Sequence, residues 1–152
     1  MNYLKDLTVI VVTFKTNEKI LFNCLDSIKK EVQILLVENS SNIEFKNKIE
    51  NKYSNVSVIL SGKNLGYGAG NNLGLKNTKT RFALISNPDV KYNINFFDEI
   101  DQYLSGKINF SIIGPSYNDQ THYLPYGSFD QSVNNNKFDE FNLKEVDFVV
   151  GC

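Results

Sequence analysis

The sequence predicts an α/β protein with a mostly parallel central sheet flanked by helices, and three features predict it. Short β-branched runs, Leu7–Thr13 (LTVIVVT), Val32–Val37 (VQILLV) and Val56–Leu60 (VSVIL), have the continuous apolar character of strands covered on both faces. Helical stretches separate them, and strand–helix–strand–helix–strand at this spacing implies parallel pairing through right-handed crossovers. The loops rich in Asn, Ser, Gly and Asp each follow a strand, so a parallel sheet gathers them at one edge, where open α/β sheets bind ligands.

Taken in order, the first strand, Leu7–Thr13, is followed by the loop Phe14-Lys15-Thr16-Asn17, with Asn17 placed to cap a helix. In that helix Ile20, Leu21, Cys24, Leu25 and Ile28 share one face, Glu18 suits the dipole at the start, and Lys29 and Lys30 close the end. Cys24 reads as a small core residue. The second strand ends in Glu38-Asn39-Ser40-Ser41 and leads to a weak, lysine-rich helix, Ile43–Lys52, before the third strand. Gly62, Gly66, Gly68, Gly70 and Gly74 then crowd Ser61–Gly74, with Asn71-Asn72 expected to cap a helix over Leu73–Asn77. Interleaved Leu65, Tyr67, Leu73 and Leu75 set this stretch apart from a flexible Gly/Ser spacer.

Arg81–Val90 (RFALISNPDV) holds the fourth strand, in which Phe82–Ile85 read as central and buried on both faces. Pro88 cannot donate to a ladder, so the strand stops there and presents Asp89 on a stiff turn. Asn-Pro-Asp is a turn signal in its own right. It is equally a carboxylate fixed where a hard divalent cation carrying phosphate oxygens would sit. A helix over Asn95–Leu104, capped by Asn95 and stopped by Gly106, follows, then a strand at Phe110–Ile113 closed by Gly114-Pro115. From Ser116 to Lys144 aromatic residues are scattered among Asn, Asp and Gln; the lone His122 reads as structural or solvent-facing. Val146–Val150 makes a last strand.

Bulk properties narrow the function. With 152 residues, 41% hydrophobic and 22% charged, the chain suits one domain with a real core. A net charge of −1 offers no footprint for nucleic acid. No apolar run reaches membrane-span length, and the N-terminus lacks a signal-peptide pattern. Two distant cysteines, Cys24 and Cys152, form neither a disulfide framework nor a zinc pattern, so the expected location is the cytoplasm.

The strand-tip loops together supply a carboxylate for a base or ribose (Glu38), close-approach glycines, capping amides and a metal-type carboxylate (Asp89). That is the inventory of a nucleotide–metal site. Two common nucleotide motifs are excluded. Gly-x-Gly-x-x-Gly fails in both registers, with Asn71 or Leu73 where the third glycine belongs, and no Gly-Lys-Ser/Thr closes a P-loop.

Val11–Phe14 (VVTF), Val37–Ser41 (VENSS), Asn64–Gly74 (NLGYGAGNNLG) and Asn87–Asp89 (NPD), in this order, resemble glycosyltransferase family 2, and within it the rhamnosyltransferase-like members. The resemblance implies a GT-A nucleotide-diphospho-sugar transferase fold. It divides the single domain 1–152 into a nucleotide-sugar-binding half, 1–115, and a partial acceptor-side region, 116–152. It implies that Thr13 and Phe14 line the base and that Glu38, with Asn39 beside it, replaces the family's Asp at the nucleoside. Asn64, Gly66 and Asn71 would border nucleoside and diphosphate. Asp89 matches the metal-binding aspartate of Asp-x-Asp, and Asn87 replaces the first Asp of that motif. The implied chemistry is inverting, Mg2+- or Mn2+-assisted transfer from a dTDP-, UDP- or GDP-linked sugar to a saccharide or lipid-linked acceptor, for cell-surface polysaccharide. The implied setting is the cytoplasm, the inner face of the membrane included. The family's general base lies in an acidic motif with no match before Cys152; Glu145 and Asp147 stand in only by default, and the base is left unassigned. The chain therefore reads as truncated on the acceptor side. The other reading is a nucleotide-sugar-binding half-domain without catalysis, working as a homodimer or with a further segment. A plain α/β interaction domain is the third.

Overall fold

A computed structural model describes residues 3–105 of the chain. The expected stop at Gly106, the strands at Phe110–Ile113 and Val146–Val150, His122, Glu145 and Asp147 lie outside the described residues. After a 3-10 turn, Tyr3–Asp6, the order is β1 (Leu7–Thr13), α1 (Glu18–Asp26), β2 (Gln33–Glu38), α2 (Ile43–Lys52), β3 (Val56–Leu60), α3 (Tyr67–Asn77), β4 (Phe82–Ser86) and α4 (Phe96–Ser105). The four strands form one parallel sheet in the order β3-β2-β1-β4.

β1 is buried along its whole length, as its unbroken apolar run requires. Alternation along a strand assigns its two faces. A Cβ placed on Gly70 would fall 2.8 Å from Val12 Cγ1, and one on Gly74 would fall 2.5 Å from Ile10 Cγ2. α3 therefore lies on the face carrying Ile10, Val12 and Val37. Right-handed crossovers put α1 and α2 on the opposite face, with Val9, Val11 and Thr13. There Leu21, Cys24 and Leu25 of α1 and Ile49 of α2 are buried. Fully burying a side chain the size of Leu21 or Ile49 contributes about 1.5–3 kcal/mol, which lets the weakly patterned α2 hold.

Asn17 caps α1 as expected, its Oδ1 accepting from the Lys19 and Ile20 amides at 3.0 and 3.4 Å. Four expectations are corrected. α1 ends at Asp26 with Ser27 as its cap, so Lys29 and Lys30 lie beyond it, because the Ser27 amide closes back on the Cys24 and Leu25 carbonyls. Ile20 is exposed, on the first turn at the edge of the face set by Leu21, Cys24 and Leu25. α3 starts at Tyr67, so Asn71 and Asn72 lie inside it and cap nothing. β4 is a sheet edge among the described residues, and Ala83 and Ile85 are exposed. The cause of the last is the crossover from β3, which lays α3 over β1 and β2 and leaves that face of β4 uncovered.

α4 packs its Phe97 into the core and receives the N-terminal turn: Asp101 Oδ1 accepts from the Tyr3 and Leu4 amides at 2.7 and 3.1 Å. No described helix is long and apolar enough to cross a membrane.

Candidate functional site

Chain order runs outward from β1 through β2 to β3, then returns to β4 on β1's other side. This reversal opens a crevice at the carboxyl ends of β1 and β4, the place where open parallel sheets take ligands. Two groups of residues flank it.

The first group is built on β1, β2 and the α3 start. Register pairs Thr13 with Glu38, on one face. Thr13 Oγ1 donates to Glu38 Oε2 at 2.6 Å, both side chains buried. One residue on, Asn39 turns to the opposite face, where Nδ2 donates to the Gly66 carbonyl at 3.1 Å. A carbonyl only accepts, so this bond fixes the amide and leaves Asn39 Oδ1 as an acceptor. That oxygen is buried and has no partner among the described residues. The loops after β2 and β3 are laced together: Ser61 N donates to Glu38 O at 3.0 Å, Gly62 N to Ser40 O at 3.1 Å, and Ser41 Oγ to Gly62 O at 3.0 Å.

Asn64 Oδ1 accepts the Gly66 amide at 2.9 Å. Gly66, at φ +80°, then opens α3 without any side-chain cap. The first-turn amides of this helix stay uncapped beside the crevice, with the positive end of the dipole behind them. Gly70 and Gly74 have a separate purpose: they let the helix press onto Val12 and Ile10. Asn71 is 5% exposed, and its Oδ1 too lacks a partner among the described residues. Phe14 is 42% exposed at the tip of β1. Lys15 beside it has φ +52°, an uncommon conformation for a residue with a side chain.

The second group is the turn after β4. The Val90 amide donates to Asn87 O at 3.3 Å, closing a β-turn with Pro88 and Asp89 at its centre. Asp89 is exposed and Asn87 half-buried. Two more donors reach the Asn87 carbonyl, Ser86 Oγ at 3.1 Å and, from α1, Cys24 Sγ at 3.7 Å. Ser27 Oγ donates to Cys24 O at 2.7 Å and accepts from the Tyr92 amide at 3.1 Å, pinning the chain past the turn. Burial pushes the Cys24 thiol up to about 11, Ser86 opposing and the Asp89 charge adding. Burial likewise pushes Tyr92 up to about 12, with Ser86 opposing and Cys24 and Tyr67 adding.

Of the residues expected at a site, Thr13, Glu38, Asn39 and Gly66 form one bonded set, with Asn64 bonded to Gly66. Asn87 and Asp89 belong to the other set, across β1. Asn71 is corrected from a cap to a buried helix-interior residue, because α3 begins at Tyr67, ahead of the expected Leu73. Cys24, Ser86, Tyr67 and Tyr92 were not anticipated here; only the strand alternation that sends Ser86 inward hinted at them. Among the described residues no three His, Cys, Asp or Glu converge on one point. The lone Asp89 carboxylate fits a hard cation that takes its other ligands from phosphate oxygens and water.

With this geometry in hand, four likenesses are informative. The sequence model of the family described as glycosyl transferase family 2 matches residues 8–142. The low-salt glycan biosynthesis hexosyltransferase Agl10 of Haloferax volcanii is 31% identical over 116 residues, covering 74% of this chain and 36% of that protein. The crystal structure of S. aureus TarS 1-349 superposes with a TM-score of 0.55 at 25% identity, covering 64% of this chain and 32% of that one. TarS 1-349 in complex with UDP gives 0.53 at 23% identity, a likeness of fold. The chain spans about a third of the length of these relatives.

Proposed function

The chain belongs to glycosyltransferase family 2 and has the GT-A fold, and from that premise we propose that its β1/β4 crevice binds a nucleotide-diphosphate sugar for transfer to a saccharide acceptor. One observation carries the proposal: the uncapped start of α3 and the exposed Asp89 turn each follow a strand at the carboxyl edge of one parallel sheet whose strand order reverses beside β1. A diphosphate between them would meet free amides on one side and a carboxylate-held cation on the other.

In this reading Phe14 offers an apolar ring to the base. Glu38, steadied by Thr13, and Asn39, through its spare Oδ1, accept hydrogen bonds from the nucleoside. Asn64 shapes the loop that lets Gly66 open α3, and Asn71 serves from inside that helix. Asp89 holds Mg2+ or Mn2+, with Asn87 as the neutral neighbour that shapes its turn. The cation, when bound, supplies charge neutralisation for the departing nucleoside diphosphate. The displacement is inverting, and no described residue is assigned as the base for the acceptor hydroxyl. A rhamnosyl-type donor and a cell-surface polysaccharide product, made in the cytoplasm or at the inner membrane face, complete the reading.

Because the chain spans about a third of its relatives, donor binding and donor transfer are separate claims. A thermal-shift panel of UDP-, dTDP- and GDP-sugars with and without Mn2+ tests the first, since a ligand that binds the folded state raises the midpoint. TarS in complex with UDP makes UDP the first nucleotide to try. A metal-dependent rise with one nucleotide is expected; no rise with any overturns the reading. Release or transfer of a labelled sugar tests the second.

A further inference from the structure

We propose that Cys24 and Ser86 are positioning residues for the Asp89 turn, acting through the Asn87 carbonyl; this rests on the donor site assigned above. Side-chain direction supplies the first half of the argument. Ser86 is the register partner of Val11, so it points to the α1 face of the sheet. Cys24, fully buried on α1, comes up against the same point.

Both side chains then donate to one atom. Ser86 Oγ is 3.1 Å and Cys24 Sγ 3.7 Å from the Asn87 oxygen, which also takes the Val90 amide at 3.3 Å. Asn87 is the first residue of the turn, Asp89 the third. Proline fixes one backbone angle between them. Holding the Asn87 peptide plane therefore sets where the carboxylate stands, while Asp89 itself remains exposed and makes no hydrogen bond among the described residues. Ser27, bonded both to Cys24 O and to Tyr92 N, holds the far end of the same segment against α1. The turn is clamped from below at both ends, and the tip is left free for a ligand. An apolar residue at position 24 would fill the core as well, but it could not donate.

The test uses the full chain, with Mn2+-dependent UDP affinity measured by calorimetry beside the thermal midpoint. Cys24→Ala and Ser86→Ala should each weaken that affinity about 3- to 10-fold, the scale of one hydrogen bond. Cys24→Ser keeps a donor, so its affinity should stay within about 2-fold of wild type even though a buried hydroxyl lowers its midpoint. Affinity that simply follows the midpoint across these variants would overturn the proposal. A third readout needs no nucleotide: hydrogen exchange at the Val90 amide should quicken in Cys24→Ala and Ser86→Ala and not in Cys24→Ser. Wild type that binds no nucleotide, with exchange responding as expected, removes the donor-site reading and leaves the clamp. Wild type that binds, with both alanine variants matching it, removes the clamp and leaves the donor site.

Discussion

Thr13→Val isolates the bond between the two central strand tips. Valine keeps the shape of threonine and deletes only the hydroxyl, so no cavity opens. Thr13 is 1% and Glu38 6% exposed, so water cannot readily replace the lost 2.6 Å bond. Leaving a buried acceptor without its donor costs about 1–3 kcal/mol. Taking about 2 kcal/mol, a chain of this size should lose roughly 4–8 °C in its melting midpoint. Urea unfolding followed by circular dichroism measures the loss directly, with the slope unchanged and the midpoint lowered. A double-mutant cycle then isolates the pair: in a Glu38→Ala background the valine substitution should cost little, giving a coupling of about 1–2 kcal/mol. A loss under about 0.5 kcal/mol, or an equal loss in both backgrounds, would refute the reasoning.

Gly74→Ala should destabilise despite alanine's better helix propensity, because the new methyl would sit 2.5 Å from Ile10 Cγ2 in the core. Overpacking of about 1–3 kcal/mol against a propensity gain of about 1 leaves a net loss of up to roughly 2, readable from a urea midpoint; a gain would contradict the close packing. Cys24 makes alkaline stability a signature. Its folded value near 11 lies above the ordinary 9.0, so the folded state keeps a proton that the unfolded chain gives up. Stability is full below pH 9 and falls as pH rises through 11, by up to about 2–3 kcal/mol. Melting from pH 8 to 10.5 should show a shallower decline in Cys24→Ala than in wild type, and parallel curves would refute it. At the β3 edge, Glu50 Oε1 accepts the Val58 amide at 2.8 Å and Lys46 Nζ donates to the Val58 carbonyl at 2.7 Å, covering an unpaired ladder position. Replacing both with alanine should bring on concentration-dependent association in light scattering, since an open edge recruits other strands; a monomer at all concentrations would count against that role.

Which of these features the sequence displays follows from how local each one is. β1, β3 and α2 stand within the residues expected because each needs only its own pattern, and Asn17 caps α1 because its side chain bonds amides two and three residues on. The start of α3 was hidden by its own composition. Gly68, Gly70 and Gly74 weaken helix propensity, yet close contact with Val12 and Ile10 requires a bare backbone at Gly70 and Gly74, and tertiary packing prevails. β4 read as central because its apolar run ignores which strand neighbours it; topology alone exposes Ile85. At the site, the loops were legible as a set, since each follows a strand. The Thr13–Glu38 pair needed the register, and the Cys24–Asn87 contact joins residues 63 apart, which no local pattern encodes.

The proposed function rests on a metal-bridged nucleoside diphosphate between the start of α3 and Asp89. Calorimetric titration of UDP, dTDP and GDP with and without Mn2+, into wild type and Asp89→Ala, tests it most directly. Wild type should bind one nucleotide only with the metal, and the variant should lose that binding while its thermal midpoint stays put because Asp89 is exposed. Equal affinity in both proteins, or binding indifferent to the metal, would contradict it.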